Sequence, residues 1–155
     1  MTATEWSSLP PIINREHSKI SLNTKNIFFE VTATDLTKAS IVLDTLVTMF
    51  SQYCATPFEV EPVETVLPDG EVLTFPKLAV RKETILPAKA NSTVGVELAA
   101  DRMAELLTKM CLASEVKGDT IEVTIPPTRH DVLHPCDIYE DVAITHGYNN
   151  ITKVI

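Results

Sequence analysis

Glycine is scarce in this chain, with four in 155 residues at positions 70, 95, 118 and 147. Neither G-x-G-x-x-G nor G-x-x-x-x-G-K-[ST] occurs, so a nucleotide cradle of the familiar kinds is excluded. The three cysteines, Cys54, Cys111 and Cys136, are odd in number and show no C-x-x-C spacing. Neither a disulfide framework nor a zinc site is indicated, and the redox setting reads as reducing. G-x-S-x-G is absent, and the acidic neighbours of Cys136 oppose a thiolate, so no nucleophile is expected. No run approaches the roughly 18 apolar residues that span a bilayer, and the first thirty residues lack a basic start before an apolar block. Secretion and membrane insertion are unsupported, which points to the cytoplasm. Cations are few as well: 13 Lys plus Arg against 21 Asp plus Glu leave a net charge of -8. Non-specific nucleic-acid binding rests on neutralising phosphates, so this balance argues against it.

What is present suits one α+β domain. Residues 1–8 show no period. Ile27, Phe29 and Val31 alternate with Phe28, Glu30 and Thr32, which predicts a strand over 27–33. Asp35 can cap a helix reaching about Cys54, with Leu36, Ala39, Leu43, Leu46, Val47 and Phe50 on one face. Short strands follow at 58–67 and 71–75, joined at Pro68-Asp69-Gly70, with a boundary near 55–58. A strand at 80–86, a polar loop, a helix at 97–112, a strand at 120–125 and a last helix at 137–146 complete the pattern.

The most unusual stretch lies between Pro126 and Asp141. On a helix starting at Asp137, Glu140 and Asp141 return to the same face, and Asp131 lies just upstream. No Lys or Arg occurs from Asp131 to Thr152, so compensation must come from the helix N-terminus, Arg129, another chain or a cation. Two accounts compete. A helix dipole favours acids in its first turn with no ligand, whereas magnesium takes a few carboxylates and keeps some of its waters. Under the second account, changing Asp137 and Asp141 to Asn leaves the fold intact or slightly more stable. His130, His134 and His146 lack the helical spacing common in zinc sites. Glu30 is the second candidate, either an edge-strand acid in water or a polar group in a pocket, with Asn14, Arg15, Glu16 and His17 as possible companions.

These residues resemble a family. Pro126-Pro127-Thr128-Arg129-His130-Asp131, then Asp137-Ile138-Tyr139-Glu140-Asp141, then Gly147-Tyr148-Asn149 is similar to the signature of phenylalanine tRNA ligase beta subunits. The segments from Leu9 to Ile20 and from Asn23 to Asp35 resemble the end of the same subunit's editing domain in its eukaryotic and archaeal form. The resemblance implies a heterotetramer of two alpha and two beta subunits that joins phenylalanine to its tRNA, with ATP and phenylalanine bound on the alpha subunit. The editing domain hydrolyses mischarged tyrosyl-tRNA. It further implies a winged-helix-like α+β fold after the editing domain. It implies a magnesium ion shared with the alpha subunit, carried over to Asp131, Asp137, Glu140 and Asp141. Asn14 and Glu30 match editing-pocket positions. No catalytic residue is assigned.

The expected organisation is therefore the end of a mixed α/β editing domain at 1–56, a connecting hairpin at 57–79 and a winged-helix-like domain at 80–155. The chain reads as a fragment of an aminoacyl-tRNA synthetase, structural, interface-forming and magnesium-binding, and inactive alone. The alternatives are a free-standing winged-helix module binding nucleic acid or protein, and an autonomous hydrolase using Glu30. A recognition helix should be rich in Arg and Lys, yet 97–112 offers only Arg102 and Lys109 beside Asp101 and Glu105.

Overall fold

A computed structural model describes residues 19–152. By compactness the chain divides into two units, Met1–Leu43 and Asp44–Ile155. Helix α1, Leu36–Ser51, runs through the division. Its start is the one the sequence predicts: the Asp35 carboxylate accepts the Lys38 amide at 3.0 Å, satisfying an otherwise orphaned donor. Its end comes earlier than Cys54, because the Ser51 carbonyl accepts the amides of Cys54 and Phe58 and turns the chain. Of the apolar positions expected on its packing face, Val47 is buried while Leu36 and Phe50 remain exposed.

No strand forms over 27–33. The alternation survives in part: Phe29 and Val31 are half-buried and Phe28, Glu30 and Thr32 exposed, whereas Ile27 is exposed too. A strand needs a ladder as well as a period, and both sheets among the described residues are built from strands that begin at Val63 or later.

Residues 52–62 carry turns and no regular element. Beyond them, β1 (Val63–Val66) and β2 (Val72–Phe75) pair antiparallel with Val66 opposite Val72. Strand β1 begins only after Pro62, which has no amide to give to a ladder. The turn closes with Gly70 donating to the Leu67 carbonyl and Asp69 accepting the Glu71 amide, and Gly70 takes a φ of +88°.

The main core belongs to a three-stranded antiparallel sheet in the order β3 (Arg81–Ile85), β5 (Thr120–Ile125), β4 (Ala113–Lys117). Central β5 buries Ile121, Val123 and Ile125 and turns Thr120, Glu122 and Thr124 outward, as its alternation requires. Helices α2 (Pro87–Val94), α3 (Ala100–Lys109) and α4 (Pro135–His146) complete the unit, followed by a 3₁₀ turn at Tyr148–Asn150. Met103, Leu107, Leu112, Val132, Ile138 and Val142 pack with the strand residues in one cluster.

Helix α2 lies where the sequence pattern indicated a polar loop. It buries only Ala90, and its limits come from Pro87 at the first turn and Gly95 in the left-handed region at φ +79°. The Asn91 side chain then brackets the turn into α3, donating to the Leu98 carbonyl and accepting its amide at 2.9 and 3.1 Å. The order β3, α2, turn, α3, then the β4–β5 hairpin is the winged-helix-like arrangement expected.

Candidate functional site

Strand β5 ends at Pro126-Pro127, and a turn in which the Arg129 amide donates to the Pro126 carbonyl aims the Arg129 side chain inward. Its guanidinium is the centre of the acidic motif. Nη2 donates to one carboxylate oxygen of Asp131 and one of Asp141, both at 2.7 Å, while Nε spans the two Asp131 oxygens at 3.0 and 3.2 Å. Nη1 donates to the carbonyl of Met110, at the end of α3, at 2.6 Å. The Arg129 side chain is 18% exposed, that of Asp141 6% and that of Asp131 63%, so the pair with Asp141 is the sheltered one. Arg81 adds a second clasp, with Nη2 donating to the carbonyls of Arg129 and Val132.

The electrostatics follow this geometry. Hydrogen bonds from Arg129 hold the Asp131 carboxyl below the usual carboxylate range, and in return Asp131 and Asp141 raise the guanidinium further above its already high value. Asp137 is lowered for a different reason. It is the third residue of α4, and one of its oxygens accepts the amides of His134 and Leu133 at 2.7 and 2.8 Å. This is the reciprocal part of a capping box. Glu140 is exposed, and no described residue pairs with it.

The family resemblance implies Asp131, Asp137, Glu140 and Asp141 as magnesium ligands, where spacing alone left a helix-dipole account and a metal account open. The fold brings Asp131 and Asp141 onto one nitrogen of Arg129, and among the described residues no group of three or more Asp, Glu, His or Cys is placed to hold a metal ion. Their oxygen chemistry suits a hard cation. Their arrangement does not, since Arg129 stands between Asp131 and Asp141 and backbone amides hold Asp137. Asn14 lies outside the described residues, and Glu30 is exposed on a segment without a strand. What sequence reasoning missed was Arg81. Its partners stand 48 and 51 residues away, and no local pattern marks such a contact.

Residues 84–148, the stretch that contains this motif, match the family model described as the tRNA synthetase B5 domain. Over 94% of its length the chain is 58% identical to the phenylalanine–tRNA ligase beta subunit of Drosophila melanogaster. The chain is a relative of phenylalanine–tRNA ligase beta subunits. The beta subunit of Arabidopsis thaliana, named as cytoplasmic, is 51% identical over 93% of the chain. Among solved structures, an N-terminal fragment of the phenylalanyl-tRNA synthetase beta-subunit from Pyrococcus horikoshii superposes with a TM-score of 0.80 at 31% identity, covering 91% of this chain and 40% of that one. The chain spans about a quarter of the length of these curated relatives, 25% in each case. Their names are those of an aminoacyl-tRNA synthetase, a ligase of protein synthesis. Among the described residues no helix is long and apolar enough to cross a membrane.

Proposed function

We propose that this chain is the segment of a cytoplasmic phenylalanine–tRNA ligase beta subunit that joins the end of the editing module to a folded B5 unit. In this role it serves assembly with an alpha subunit and not the chemistry itself. The observation that carries the proposal is the B5 match over a complete hydrophobic core, set within a resemblance that covers nearly the whole chain. On this account ATP and phenylalanine bind the alpha subunit, and tRNA meets the assembled enzyme of two alpha and two beta subunits. The division into 1–56, 57–79 and 80–155 belongs to the same proposal. So does the placing of Asn14 and Glu30 in an editing pocket whose other walls lie elsewhere in a longer subunit. Any magnesium shared with the alpha subunit would need ligands now held by Arg129 and by the α4 cap.

Sedimentation of the chain mixed with an alpha subunit of phenylalanine–tRNA ligase tests the proposal. A complex is expected, with no tyrosine released from mischarged tRNA by the chain alone. Rapid deacylation that disappears in Glu30→Ala would replace the proposal with an autonomous hydrolase. The nucleic-acid alternative finds little support on α3, where Arg102 is already paired with Glu105 at 2.7 Å and Asp101 stands beside it.

A further inference from the structure

The acids of the motif and the cation that neutralises them lie on the same chain. Asp131 and Asp141 share one guanidinium nitrogen, and a third arm of Arg129 ties the cluster to the Met110 carbonyl of α3. A third acid of the motif, Asp137, already accepts two backbone amides through one of its carboxylate oxygens. An octahedral ion that keeps its waters needs an open volume bounded by unengaged oxygens, and here a planar, permanently charged group fills the space between the carboxylates. We infer that the guanidinium of Arg129 is the built-in cation of the acidic motif, so that α4 is locked to α3 without a divalent ion. The motif becomes responsive to magnesium only when that side chain is removed.

The inference separates the fold from the metal and can be tested on this chain. Thermal unfolding is followed in millimolar magnesium chloride, in sodium chloride of equal ionic strength, and in chelator. The wild-type midpoint is expected to be the same in all three. Arg129→Gln leaves Asp131 and Asp141 without a counter-charge, and its midpoint should fall by about 4 °C or more and be partly restored by magnesium but not by sodium. A wild-type midpoint raised by magnesium and lowered by chelator overturns the inference. So does an Arg129→Gln variant that folds and ignores magnesium, because its acids would then form no latent site. If Arg129→Gln does not fold, manganese added to the wild type decides the matter through paramagnetic broadening of amide resonances. Unbroadened signals at Asp131, Asp137, Glu140 and Asp141 support the built-in cation, and selective loss of those signals refutes it.

Discussion

At the scale of single residues, the two acids of α4 do different work despite their shared face. Asp137 satisfies amides that the first turn of a helix leaves open, and Asp141 is a sheltered partner of Arg129. Neutralising them is therefore expected to cost stability, whereas the magnesium account expects the fold to stay intact or gain slightly. Asp137→Ala should lower stability by about 1 kcal/mol, the usual loss of a capping group. Asp141→Asn should lower it by about 2 kcal/mol, since it weakens a charge-assisted hydrogen bond while Arg129 keeps Asp131 and the Met110 carbonyl. Urea unfolding of the single and double variants measures both. A double variant as stable as the wild type would show that neither contact holds the fold. Arg129 could be suspected in the sequence because it was the nearest cation to an acidic stretch. Its third bond was hidden, as the Met110 carbonyl lies 19 residues back.

At the scale of elements, the central strand carries its own charge clamp. Glu122 on β5 accepts from Lys82 on β3 and Lys117 on β4, each at 2.9 Å, and these contacts lower its carboxyl from 4.5 to about 2. A carboxylate whose folded value lies below its unfolded one stabilises the fold fully above the unfolded value, and that contribution fades as pH falls through the folded value. The Glu122 share is thus present above pH 4.5 and lost progressively towards about pH 2. Acid titration of the unfolding midpoint should show this slope in the wild type and less of it in Glu122→Gln, with salt reducing the difference because the group is near the surface. The α2–α3 turn depends on Asn91, and Asn91→Ala should cost about 1–2 kcal/mol by removing two hydrogen bonds to Leu98. Urea unfolding of that variant tests it. This helix was illegible in the sequence because a helix that buries a single Ala90 has no apolar stripe to read. Strand β4 was missed for a related reason: five residues ending at a glycine turn are defined by pairing with β5, which a local pattern does not record.

For the whole molecule, the large core lies within 85–142, and among the described residues the two sheets draw no strand from 24–33. Native-state hydrogen exchange should separate them. Amides of Ile121, Val123 and Leu107 are expected to exchange only by opening of the core, and those of Phe28, Glu30 and Thr32 orders of magnitude faster. Slow exchange at 28–32 in this chain would mean that a strand partner exists after all. The same contrast bears on function. A pocket built around Glu30 needs neighbouring strands, whereas the B5 unit closes its own core.

Four things were set by the sequence itself. The β5 alternation, the Asp35 cap and the Pro68-Asp69-Gly70 hairpin were readable because their causes are local: a period of two, a side chain reaching three residues along, and a turn residue at positive φ. The family resemblance was readable because its residues stand close together between 126 and 149. Tertiary structure decided what those residues do to one another. Spacing placed Asp137, Glu140 and Asp141 on one helical face with Asp131 nearby, and only the fold showed which of them Arg129 reaches, because its partners come from the end of α3, the approach to α4 and α4 itself. A sequence records which charges are near along the chain, but the space between them is filled by whichever group the packed core turns inward.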